Sequence, residues 1–106
     1  MKRPLFVLET DGSVRPAYNQ QEYLSFMEDN TKKILAQDQA YSICQIVTSF
    51  LGKEPLSTTK KKKSPMLFET LVTGGVIDGS VRLYTSYEAA MAGHKAIVQL
   101  IHNSIN

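Results

Sequence analysis

The fold is decided by one stretch: Phe68-Glu69-Thr70-Leu71-Val72, then Thr73 and the pair Gly74-Gly75, then Val81-Arg82-Leu83-Tyr84, with Thr85 opening a helical pattern that contains Gly93-His94. The two apolar, β-prone runs bracket a glycine-containing turn, which reads as a β-hairpin leading into a helix. Polar groups fall here where packing alone would not choose them, so this segment is also the first place to look for a site.

The helix is the clearest element. Thr85 with Glu88 three residues on matches a capping box. Tyr87, Ala90, Met91, His94, Ile97, Val98 and Ile101 recur at helical spacing, which predicts one face packed on a sheet. Gly93 inside a helix costs about 1 kcal/mol relative to alanine. Close approach of a strand is the simplest reason to keep it.

Working outward, six strand-like segments and two helices are expected. Leu5 to Leu8 and Val14 to Tyr18 flank the turn signal Asp11-Gly12. Pro16 lacks an amide hydrogen and places the second strand at an edge, where a homodimer has an edge to pair with. Asn19 with Glu22 reads as the start of a helix ending near Glu28. Lys33 to Gln37 and Tyr41 to Leu51 read as strands three and four, broken at Asp38-Gln39. In the second of them Cys44, Ile46, Thr48 and Phe50 share one face. Ile43, Val47 and Leu51 make the other face apolar too, as in an interior strand. The expected fold is α+β: an antiparallel sheet of about five or six strands with two helices, the C-terminal one packed on the sheet. No regular βαβ series is present.

At 106 residues the expectation is a single domain spanning 1–106. Such a domain buries roughly two-thirds of the surface of its unfolded chain and needs no metal or disulfide to fold. One cysteine, Cys44, excludes an internal disulfide and suits a reducing cytosol. The N-terminal apolar run is too short for a signal peptide, and no run reaches membrane-spanning length. Net charge is +2, yet Lys60, Lys61, Lys62 and Lys63 supply four charges in one run; +2 less four leaves −2 for the rest. This run lies in a long loop, 52–65, read as flexible and solvated. The alternative is a nucleic-acid contact, although no aromatic residue is interleaved for stacking.

The chain resembles a family of small tailed-bacteriophage proteins. The resemblance is carried by Thr48-Ser49-Phe50-Leu51-Gly52, Phe68-Glu69-Thr70, Gly74-Gly75, Asp78, Tyr84-Thr85, Glu88-Ala89 and Gly93-His94, and spans roughly Ile34 to Val98. It implies a phage or prophage origin, hence action in the host cytoplasm, and little chemistry. Two positions depart from the family pattern. Gly52-Lys53-Glu54-Pro55 stands where members have Gly-Leu-Asp-His, so no metal role for that pair carries over. Thr73 replaces a phenylalanine before the glycine pair.

The candidate ligand-binding residues are Glu69, Thr70, Gly74, Gly75, Arg82, Tyr84, Thr85 and His94. Each has a plain structural reading beside the functional one. His94 is a core histidine bonded to backbone or a carboxylate, or else a ligand group. Glu69 forms an ion pair with Arg82 or His94, or the set closes on hydroxyls or a base edge. Gly74-Gly75 is a turn, or an anion seat of bare amides. Tyr84 stacks on a ring or covers the sheet edge. No metal-ligand spacing and no nucleophile motif is present, so no catalytic residue, metal or cofactor is assigned and an enzyme is not expected. The resulting expectation is a phage accessory protein that disarms host defence by sequestering a nucleotide-type immune signal. The alternative is a module that binds a host defence protein or nucleic acid.

Overall fold

In the computed structural model, which describes residues 4–54 and 64–103, the central strand pair is built from two runs whose alternate residues are apolar or threonine. Strand β4 (Cys44–Phe50) turns Cys44, Ile46, Thr48 and Phe50 inward, and β5 (Phe68–Thr73) does the same with Phe68, Thr70 and Val72. They pair antiparallel, Thr48 opposite Thr70 and Phe50 opposite Phe68. The flanking strands are β3 (Ile34–Ala40) and β6 (Val81–Tyr84), giving a four-stranded antiparallel sheet in the order β3-β4-β5-β6. The N-terminal strands β1 (Phe6–Leu8) and β2 (Val14–Pro16) form a separate two-stranded sheet. The fold is α+β, and the six strands of the described residues are divided between these two sheets.

Helix α1 (Gln20–Glu28) starts where the sequence places it. Asn19 accepts a hydrogen bond from the Glu22 amide at 2.8 Å, and the Glu22 carboxylate accepts from the Tyr18 amide at 2.7 Å. Asp29 ends α1 and caps a further short helix, α2 (Asn30–Lys33), which the sequence reading did not include. Helix α3 (Tyr87–Asn103) lies on one face of the four-stranded sheet and buries Ala90, His94, Ile97 and Ile101. Its cap differs from expectation by one residue. The Ser86 hydroxyl accepts from the Ala89 amide at 3.1 Å, so Ser86 rather than Thr85 opens the helix.

The break between β3 and β4 also moves. Asp38-Gln39 lies inside β3, and the chain reverses at Tyr41 to Ile43, where Tyr41 takes φ 54°. A non-glycine residue in this left-handed region carries no sequence signal of a turn. The consequence is large: Asp38 pairs with Ile46 in the strand register and therefore shares the face that meets α3.

Two apolar clusters fill the space between sheet and helix. One contains Ala40, Cys44, Ile46, Val72, Ile97 and Ile101. The other contains Phe50, Leu67, Phe68 and Ala90, with Phe26 of α1 edge-on to Phe50 at 5.6 Å. The N-terminal hairpin joins this second cluster through Phe6, Leu8 and Val14 and is tied down by the Phe6 amide, which donates to the Gly52 carbonyl at 2.7 Å. Of the loop expected at 52–65, residues 55–63, and with them Lys60, Lys61, Lys62 and Lys63, lie outside the described residues.

Candidate functional site

Between the two clusters runs a buried polar chain. Strand register puts Thr48 and Thr70 side by side, their hydroxyl oxygens 2.5 Å apart. His94 on α3 reaches down to Thr48 Oγ1 with Nδ1 at 2.7 Å, and its Nε2 lies 2.7 Å from Asp38 Oδ2. A carboxylate only accepts, so Nε2 carries the proton. In a neutral imidazole Nδ1 is then the acceptor for the Thr48 hydroxyl, and Thr48 Oγ1 accepts in turn from Thr70. The order acid, imidazole, hydroxyl is that of a nucleophile-activating relay, but its orientation is reversed. Thr48 and Thr70 are wholly buried, while the Asp38 side chain is 54% exposed. The polarised hydroxyl faces the core and the carboxylate faces water, an arrangement that anchors α3 on the sheet.

The eight residues singled out in the sequence do not assemble into one pocket. Thr70 and His94 belong to the buried chain. Glu69 points to the opposite face of the sheet, in register with Ser49 and Leu83, and has no ion pair among the described residues. Neither Arg82 nor His94 is its partner; strand alternation puts them on the other side. The expected convergence of Glu69, Arg82, Tyr84 and His94 is thus corrected: Glu69 is excluded. Arg82 and Thr85 are exposed, the former on edge strand β6. Tyr84 covers the sheet edge and also explains Gly93. A β-carbon at Gly93 would lie 2.3–2.5 Å from the Tyr84 ring and hydroxyl. That hydroxyl is buried and unpartnered among the described residues.

Gly74-Gly75 is a turn. Both have positive φ, at 84° and 81°, and a β-carbon on Gly74 would fall 1.8 Å from the Ile43 carbonyl oxygen. The Gly74 amide donates to Asp78 Oδ1 at 2.6 Å, so a carboxylate of the chain already occupies the position an anion would need.

A wide concavity lies elsewhere among the described residues, where the N-terminal hairpin, α1, α2 and β3 meet the start of α3. It has a volume of about 640 Å³ and is lined by Leu8, Glu9, Asp11, Arg15, Glu22, Ser25, Phe26, Thr31, Lys32, Leu35 and Tyr87, among others. Arg15 organises it. Its guanidinium forks onto both Glu22 oxygens at 3.0 and 2.6 Å, also donates to Glu9, and stacks 4.3 Å from the Tyr18 ring centre. The hydrogen bonds from Arg15, then that from the Tyr18 amide, hold the Glu22 carboxyl down at about 2. The same bonds to Glu22 and Glu9 push the arginine further up. Asp11 is likewise lowered, by its hydrogen bonds from the Ser13 side chain and amide. Sequence reasoning did not single out Arg15, Glu9 or Asp38. The Asp11-Gly12 turn held the signal for the first two, since a hairpin centred there brings positions 9 and 15 together.

Searches among protein-family models, curated proteins and solved structures found no match for this chain.

Proposed function

We propose that this chain is a phage-encoded, non-catalytic accessory protein that sequesters a small nucleotide-type host signal, and that its ligand seat is the cleft organised by Arg15. The observation that carries this reading is the cleft itself: about 640 Å³, within the range of small-molecule sites, with apolar walls, convergent polar groups and a strongly perturbed carboxylate. Carboxylates of Glu9 and Asp11 are suited to accept from ribose hydroxyls or exocyclic amines. Tyr87 and Phe26 offer ring faces to a base, and Lys32 is the cation not used by the Arg15 cluster. The binding-only reading is supported by the burial of the Thr48 hydroxyl, the group that His94 polarises. The phage origin rests on the sequence resemblance.

Thermal melting tests the proposal. Cyclic dinucleotides, ADP-ribose-type compounds and free nucleosides are added separately to the full chain. A ligand that binds the native state raises Tm in proportion to its affinity. The expected result is a Tm increase with at least one of these compounds that is lost in Lys32→Ala and Glu9→Gln. No increase with any of them, together with salt-dependent DNA binding, supports instead a nucleic-acid module acting through Lys60–Lys63.

A further inference from the structure

The charge balance of the Arg15 cleft is the opposite of a phosphate site. Its charged lining sets three carboxylates, Glu9, Asp11 and Glu22, against two cations, Arg15 and Lys32, so the wall carries one net negative charge. Arg15 has little left to offer a ligand. Its Nε donates to Glu9, Nη1 to Glu22 and to the Pro16 carbonyl, and Nη2 to Glu22. A fork onto a phosphate would have to break the pairing with Glu22 or Glu9. Backbone amides of the surrounding turn and caps are taken as well: Ser13 donates to Asp11, Tyr18 to Glu22 and Thr31 to Asp29, at 2.7–2.9 Å. What stays open is acceptor capacity. One oxygen each of Glu9 and Asp11 makes no hydrogen bond among the described residues.

We infer, resting on the ligand reading above, that the cleft takes the uncharged base-and-ribose end of its ligand and rejects phosphates. Its preferred ligand is a nucleoside with an exocyclic amine, such as adenosine, and each added phosphate weakens binding. Ribose hydroxyls and an exocyclic amine are donors, and the open oxygens of Glu9 and Asp11 are acceptors that cannot serve an anion. A phosphate brought among these carboxylates meets like charge, at a cost that grows as water is excluded. Lys32 does not offset this. It is exposed, and the Asp29 carboxyl, held low first by the Thr31 hydroxyl, draws on Lys32 too. Glu22, held at about 2, stays charged at neutral pH, so the wall keeps its negative balance there. Phe26 and Tyr87 offer ring faces to a base whatever its phosphate number.

Calorimetric titration of the full chain at low salt with adenosine, AMP, ADP and cyclic di-AMP tests it, with Glu9→Gln and Asp11→Asn as variants and circular dichroism as a fold control. The expected result is affinity falling in the order adenosine, AMP, ADP, with at least about a tenfold loss from the first to the last. That ratio narrows at high salt. It also narrows in either variant, as adenosine loses a charged acceptor and ADP loses a repulsion. Should one variant fail to fold, the other decides. ADP or cyclic di-AMP binding as tightly as adenosine overturns the inference and leaves the reading of the cleft standing. A ratio that neither variant moves overturns it as well, since the discrimination then lies elsewhere. A chain that binds none of the four compounds removes the reading of the cleft and this inference with it.

Discussion

Asp38 and His94, fifty-six residues apart, meet through a 2.7 Å hydrogen bond that ties edge strand β3 to helix α3. The imidazole continues inward to Thr48, so one side chain links solvent to the centre of the core. The polar layer separates two apolar clusters and gives the helix one rotational setting on the sheet. A half-turn slip would take His94 away from the buried Thr48–Thr70 hydroxyl pair, which would keep only its own mutual hydrogen bond.

Deleting the inner end of this chain costs more than deleting the outer end. Thr48→Val removes the hydroxyl facing a buried ring nitrogen and is expected to destabilise by about 1–3 kcal/mol. Asp38→Asn changes a half-exposed partner and is expected to cost less than about 1 kcal/mol. Denaturant melts of the two variants check the order.

Gly93→Ala raises intrinsic helix propensity yet is expected to destabilise by about 1–3 kcal/mol, because the methyl group overlaps the Tyr84 ring. Tyr84→Phe removes the buried, unpartnered hydroxyl and is expected to be neutral or stabilising. Combining Gly93→Ala with Tyr84→Ala relieves the overlap, so the pair is less than additive in equilibrium unfolding.

Ile97 is 1% exposed, and Ile97→Ala is expected to cost about 2–5 kcal/mol through a core cavity. Lys95 lies on the exposed side of α3, and Lys95→Ala is expected to stay within about 0.5 kcal/mol. Thermal unfolding of the two variants measures the helix face directly.

Acid stability reports on Arg15. Glu22 has its carboxyl lowered from 4.5 to about 2, so its ion pair stabilises the native state fully above 4.5. That contribution is lost as pH falls from 4.5 through about 2. Glu22→Gln is therefore expected to lower stability at neutral pH and to flatten the decline between these limits, as read from melts across the acid range.

Local chemistry in the sequence predicted local structure well. Asn19 with Glu22 marked the α1 cap, the glycine pair marked the β5–β6 turn, and the apolar stripe of α3 named its buried residues. The face of β4 that carries Thr48 was legible from alternation, and a carboxylate partner for His94 was among the readings of that residue. The identity of that carboxylate was not legible. Asp38-Gln39 has the composition of a turn, while the true reversal at Tyr41 has no glycine or asparagine to announce it. Shifting that boundary hid Asp38 from the α3 side. Glu69 shows the converse case: its charge among apolar neighbours suggested a buried partner, but its sheet face carries exposed Leu71 and Val81. The cleft around Arg15 depends on how the N-terminal hairpin docks on the second cluster, a long-range arrangement no local pattern encodes.

The central claim is that ligands enter the Arg15 cleft and leave the Glu69–Arg82 region untouched. Amide chemical shifts of the labelled chain, followed while a nucleotide that raises Tm is titrated in, test this most directly. The account predicts movement at Glu9, Asp11, Arg15, Ser25 and Lys32, with Glu69, Leu71 and Arg82 unmoved. Movement centred on Glu69 and Arg82, with the cleft residues still, would contradict it.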